Sequence, residues 1–164
     1  MNARNFKLIF TLLFVISSFI LQAQESVFTG EWKINKEKTV LPPGQIFLSR
    51  LTIKVVGDSL LTTRTYENTD GQQYPFVENL TLDGKESKII IYEMPRTTKA
   101  IRSASEGTLI LDSNTTFYRD GQEIVLNSKE TWKIESGDMP LTISFTSKMG
   151  DREFPGILYL DKVK

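Results

Sequence analysis

Apolar and polar residues alternate one by one along much of this chain. Leu51, Ile53 and Val55 fall on one side of an extended segment, with Arg50, Thr52 and Lys54 on the other. Ile124, Leu126, Trp132 and Ile134 share a face opposite Glu123, Asn127, Lys129, Thr131 and Lys133. Leu141, Ile143 and Phe145 likewise oppose Thr142, Ser144 and Thr146. A period of two puts one face of a strand in a core and the other in water, as in an antiparallel sheet with a single core. No segment beyond residue 24 sustains the 3.6-residue period of a helix.

Turn signals cut this pattern at short intervals. Asp-Gly occurs at 70–71, 83–84 and 120–121, and Gly-Asp at 57–58, 137–138 and 150–151. A type I′ hairpin turn needs positive φ at both central residues, which Asp-Gly supplies at low cost. The spacing predicts strands near 27–35, 47–56, 59–68, 74–82, 87–93, 96–104, 107–118, 122–135, 140–148 and 153–162. A sheet of that many strands closes on itself or folds into a sandwich. The expected fold is all-β, an antiparallel up-and-down meander barrel of about 8–10 strands. The stretch from Asn35 to Gln45, with Pro42-Pro43-Gly44, breaks the strand pattern. It reads as a loop with one helical turn, lying across a barrel mouth.

The first residues follow a different rule. Arg4 and Lys7 precede an apolar run from Leu8 to Leu21, shorter than the roughly 20 residues that span a bilayer. The small residue Ala23 follows, and no acidic residue occurs before Glu25. This is the layout of a cleavable signal peptide. The expected organisation is a signal peptide at 1–24 and one domain at 25–164, exported to the periplasm or the medium, with no stable membrane anchor after cleavage. The chain has no Cys, so it lacks the residue that carries a lipoprotein's lipid, and its core is expected to rest on packing alone. Cleavage removes two of the 20 basic residues and none of the 20 acidic ones. The slightly acidic remainder argues against nucleic acid or an anionic membrane as partner. Nothing in the sequence fixes an oligomeric state.

The absence of His and Cys excludes Ser-His-Asp and Cys-His catalysis and nearly all zinc and copper sites. No Gly-rich phosphate loop is present. No catalytic residue, metal site or cofactor is therefore expected. Glu78, Glu93, Glu130 and Glu153 are formal candidates for a two-carboxylate glycosidase, but they read as surface strand positions or halves of ion pairs. Asp70, Asp83 and Asp120 each precede a Gly and read as turn residues more readily than as calcium ligands.

Four charges fall at inward phase. Glu130 shares the face of Leu126 and Trp132; Arg64 shares that of Tyr66 and Leu60, provided Leu60 and not Leu61 faces in. Arg102 shares a face with Ala100 and Ala104, and Glu78 lies between Phe76 and Leu80. A charge inside a barrel requires a partner or a wet cavity. One reading is a polar pocket floor built from Arg64, Tyr66, Arg102 and Glu130, with an Arg meeting a ligand's carboxylate head-group. The other is a one-residue slip or bulge that turns these side chains outward.

The most informative stretch is Phe28-Thr29-Gly30-Glu31-Trp32-Lys33-Ile34, which carries a Phe-x-Gly-x-Trp pattern on the first strand. It resembles the first-strand motif of the calycins, the lipocalins and fatty-acid-binding proteins. The resemblance implies that Gly30 lets the chain bend close to the barrel end. It also implies that Trp32 closes the barrel bottom under a basic side chain from the last strands, here Arg152 or Lys162. Trp32 is then a fold residue, not a ligand contact. The run from Gly30 to Thr39, with Asn35, Lys38 and Thr39, and the later Trp132-Lys133 resemble small lipocalin-like proteins exported by Gram-negative bacteria. The chain departs from these families in two ways. The residues between the first two strands are too few for a helix pair, and the second and third lipocalin motifs are not recognisable.

Two functions follow as expectations. The first is a binding barrel for a small hydrophobic or amphipathic ligand. The second is an interaction or structural module of the cell envelope with a filled core and no ligand.

Overall fold

A computed structural model describes residues 27–39, 46–103, 107–134 and 140–163. The expected signal peptide and most of the proline-rich loop lie outside the described residues, as does the Gly-Asp pair at 137–138. The described chain contains ten strands and no helix: β1 Gly30–Ile34, β2 Phe47–Val56, β3 Ser59–Glu67, β4 Gln73–Thr81, β5 Asp83–Ile91, β6 Met94–Ser103, β7 Thr108–Arg119, β8 Gln122–Ile134, β9 Leu141–Met149 and β10 Arg152–Lys162. They form one antiparallel meander in the order β4-β3-β2-β1-β10-β9-β8-β7-β6-β5. The first and last strands pair, with Trp32 opposite Lys162 and Ile34 opposite Leu160. The result is a nearly closed barrel, compatible with a lipocalin-like fold.

One seam lacks a strand ladder. β4 and β5 are consecutive in the chain yet stand at opposite ends of the strand order. Side chains bridge them: Ser87 Oγ donates to Asn79 O at 3.0 Å, and Tyr92 OH donates to Pro75 O at 2.7 Å. The Tyr74 and Tyr92 rings meet edge-on at 6.1 Å. At the corner between the strands, Leu82 N donates to Asp58 O.

The turns obey the expected chemistry in part. Asp120 and Gly121 both have positive φ, as a type I′ turn requires. At 70–71 only Gly71 does, and Asn68 Oδ1 instead accepts from the Asp70 and Gln72 amides. Asp83-Gly84 is not a hairpin; it opens β5 with a bulge, marked by a register shift between Asp83 and Glu86. The turn between β5 and β6 is Tyr92-Glu93, two non-glycine residues at positive φ. After β1, Thr39 N donates to Asn35 O, one helical turn as expected, and Asn35 Oδ1 accepts from the Glu37 and Lys38 amides.

The first-strand motif builds the barrel bottom. Trp32 is buried and its indole N–H donates to Phe28 O at 2.9 Å. Lys162 on β10 covers the ring, its Nζ 5.3 Å from the centroid; Arg152 stands opposite Met149, at the other end of β10. Gly30 has φ +145°, and a Cβ there would come within 2.7 Å of Lys162 Cε. A side chain at position 30 would therefore strain the backbone and displace the lysine from Trp32. Above this layer, Ile53, Leu60, Leu80, Ala100, Leu109, Trp132, Leu141 and Leu160 fill one half of the barrel as a single cluster.

Candidate ligand cavity

The alternation that fills one half of the barrel continues into the other, but the inward residues change. Along β8, Trp132 gives way to Glu130, Ser128 and Leu126; along β9, Ile143 gives way to Phe145, Ser147 and Met149. Gly156 on β10 faces Phe145, whose ring lies against it; a Cβ at Gly156 would sit 2.6 Å from Phe145 Cε1. The small residues among these, Ser128, Ser147 and Gly156, leave a cavity of about 660 Å³. Its walls are Phe47 and Leu48 from β2, Leu126 and Ser128 from β8, Phe145, Ser147 and Met149 from β9, and residues 154–158 of β10. This volume lies within the range of small-molecule sites.

The floor is a cluster of charges. Leu60 is fully buried and Leu61 is 39% exposed, so β3 turns Arg64 and Tyr66 inward. Arg64 reaches across the barrel from β3 to Glu130 on β8 and donates through Nη1 and Nη2 to its two carboxylate oxygens at 3.0 and 2.9 Å. The Trp132 indole N–H donates to Glu130 Oε2 at 2.7 Å, and the Arg64 guanidinium lies 5.1 Å from a Trp132 ring centroid. The Trp132–Glu130 contact follows from strand geometry, because residues i and i+2 share a face.

A second pair adjoins the first. Glu78 Oε1 accepts from Arg96 Nε at 2.9 Å and from Thr98 Oγ1 at 2.6 Å. Its Oε2 faces Arg64 Nε at 3.6 Å, an ion contact longer than a hydrogen bond. Arg96 Nη1 donates to Thr115 Oγ1, leaving Nη2 without a partner among the described residues. Glu78 lies on β4, and Arg96 and Thr98 on β6, so this pair also spans the β4–β5 seam.

The cluster holds two guanidinium and two carboxylate groups and is neutral as a set. Burial alone would raise the Glu130 pKa, but Arg64 and the Trp132 N–H outweigh it and hold the carboxyl below its usual range. Burial would likewise lower the Arg64 pKa, yet Glu130 and its neighbours carry it above its ordinary value. Such a buried pair contributes little net stability compared with well-packed apolar residues, but removing one partner costs about 3–5 kcal/mol.

The structure brings Arg64, Tyr66 and Glu130 together at the cavity. Arg102 is elsewhere: it lies toward the filled end, where Nη2 donates to Gly57 O at 3.2 Å. Its phase along β6 matches that of Arg96, but six residues of strand separate them by about 20 Å. Arg64 takes its carboxylate from Glu130, within the protein, where the sequence suggested a ligand head-group. Arg96 is the cavity-lining charge that sequence reasoning missed. The signal was present, because Arg96 shares the parity of Thr98 and Ala100. Glu153 stands exposed on the cavity rim, and Glu93 in a turn. Compared with known proteins, the chain matches no family model, no curated protein and no solved structure.

Proposed function

We propose that this chain is an exported lipocalin-like binding protein, periplasmic or secreted, that carries a small hydrophobic or amphipathic ligand. One observation carries the reading: a cavity of about 660 Å³ with largely apolar walls stands above a charged floor, while the other half of the barrel is filled. The floor charges are engaged with one another, which supports binding over catalysis. An envelope interaction module with a filled core has less support, because the open half is not filled. The Phe28, Gly30 and Trp32 motif supports a calycin relationship.

Native mass spectrometry of the protein from its own host, joined to titration with a hydrophobic fluorophore, tests the proposal. A co-purifying small molecule and saturable, one-to-one probe binding are expected. Gly156→Ala should weaken the probe, since the new Cβ drives the Phe145 ring into the cavity. Absence of any bound mass, with no probe binding, would contradict it.

A further inference from the structure

The charge balance of the cavity points to the kind of head-group it accepts. We infer that the ligand is an amphiphile with an uncharged, hydrogen-bonding head, such as an alcohol, and not a fatty carboxylate; this rests on the binding reading above. Arg64 is chelated by Glu130 through both terminal nitrogens, so it has no free edge for a second carboxylate. Arg96 shares Glu78 and Thr115, and contributes one remaining N–H nitrogen. With Glu78 and Glu130 the two arginines are already neutralised, and Glu153 adds a further negative charge at the rim.

A carboxylate entering this floor would be a surplus anion beside Glu78 and Glu130, with neither arginine free to neutralise it. An alcohol oxygen accepts from Arg96 Nη2 without upsetting the balance. The Ser128 and Ser147 hydroxyls, 2.6 Å apart, add neutral polar groups on the same wall. Only one hydroxyl hydrogen is used between them, so the other is available to a neutral head. The walls from Leu126 to Leu158 take the alkyl chain.

The test is calorimetric titration of the full mature protein at pH 7.5 with dodecan-1-ol, dodecanoate and dodecylammonium. The alcohol should bind at least about tenfold more tightly than either ion. Tighter binding of dodecanoate or of dodecylammonium would overturn the inference and leave the binding reading standing. If none of the three binds, both fail. Glu130→Gln removes one negative charge and should shift the preference toward dodecanoate by about tenfold. Glu153→Gln, at an exposed position that folding tolerates, should shift it the same way by a smaller factor. An alcohol preference that neither variant moves would overturn the charge-balance account.

Discussion

The two halves of the barrel are built by the same strands with the same alternation, yet one is filled and the other is open. In the filled half the inward positions are Trp132, Leu109, Leu141 and Leu160, all essentially excluded from solvent. In the open half the same faces carry the small residues Ser128, Ser147 and Gly156, and the larger Phe145 lays its ring against Gly156. Inward phase therefore selects a side of the sheet, and side-chain volume decides whether that side becomes core or cavity. The Arg64–Glu130 pair marks the boundary. Trp132 below it supplies both a ring face for the arginine and an N–H for the carboxylate.

The largest expected effect comes from breaking that boundary. Arg64→Leu strands the Glu130 carboxylate and should cost about 3–5 kcal/mol in urea unfolding. Adding Glu130→Leu should recover most of the loss, because a buried pair exchanged for apolar residues is close to neutral. A double variant as unstable as the single one would show that the pair does more than neutralise itself.

The next contrast separates the halves directly. Leu109→Ala in the filled half should cost about 2–5 kcal/mol, since its neighbours cannot collapse onto the void. Met149→Ala, half-buried on a cavity wall, should cost clearly less than Leu109→Ala, because space is already present beside it and no new void has to form. Equal losses in urea unfolding would mean that the open half is packed as tightly as the filled one.

Acid should reveal the smaller, electrostatic share. The Glu130 pKa is lowered on folding, so the unfolded chain binds more protons in the acid range and stability rises with pH there. The contribution is complete above the unfolded carboxyl range, about pH 4–5, and is lost as pH falls through the lower folded value. The Arg64→Leu/Glu130→Leu double variant should show a shallower fall of unfolding free energy over that window than the parent.

Strand positions were legible in the sequence because a two-residue period and Asp-Gly turns are local signals. The start of β5 was less so: Asp83-Gly84 carries a hairpin's residues but occupies a bulge, and Tyr92-Glu93 turns without a glycine. Inward phase identified Arg64, Tyr66 and Glu130, yet phase says nothing of height along the barrel. Arg102 shares a face with Arg96 but lies near the filled end, and Arg96 was passed over. The pairing of Arg64 with Glu130 was out of reach for the same reason. The two are 66 residues apart and meet across the interior, not along any ladder that a turn sets.

The decisive test of this division of the barrel is a crystal structure of residues 25–164 soaked with dodecan-1-ol. Density for one alcohol is expected in the open half, its chain along Phe145 and its hydroxyl near Arg96, with the Arg64–Glu130 pair intact and nothing around Trp132. A collapsed cavity, or a ligand seated only on the outer surface, would contradict it.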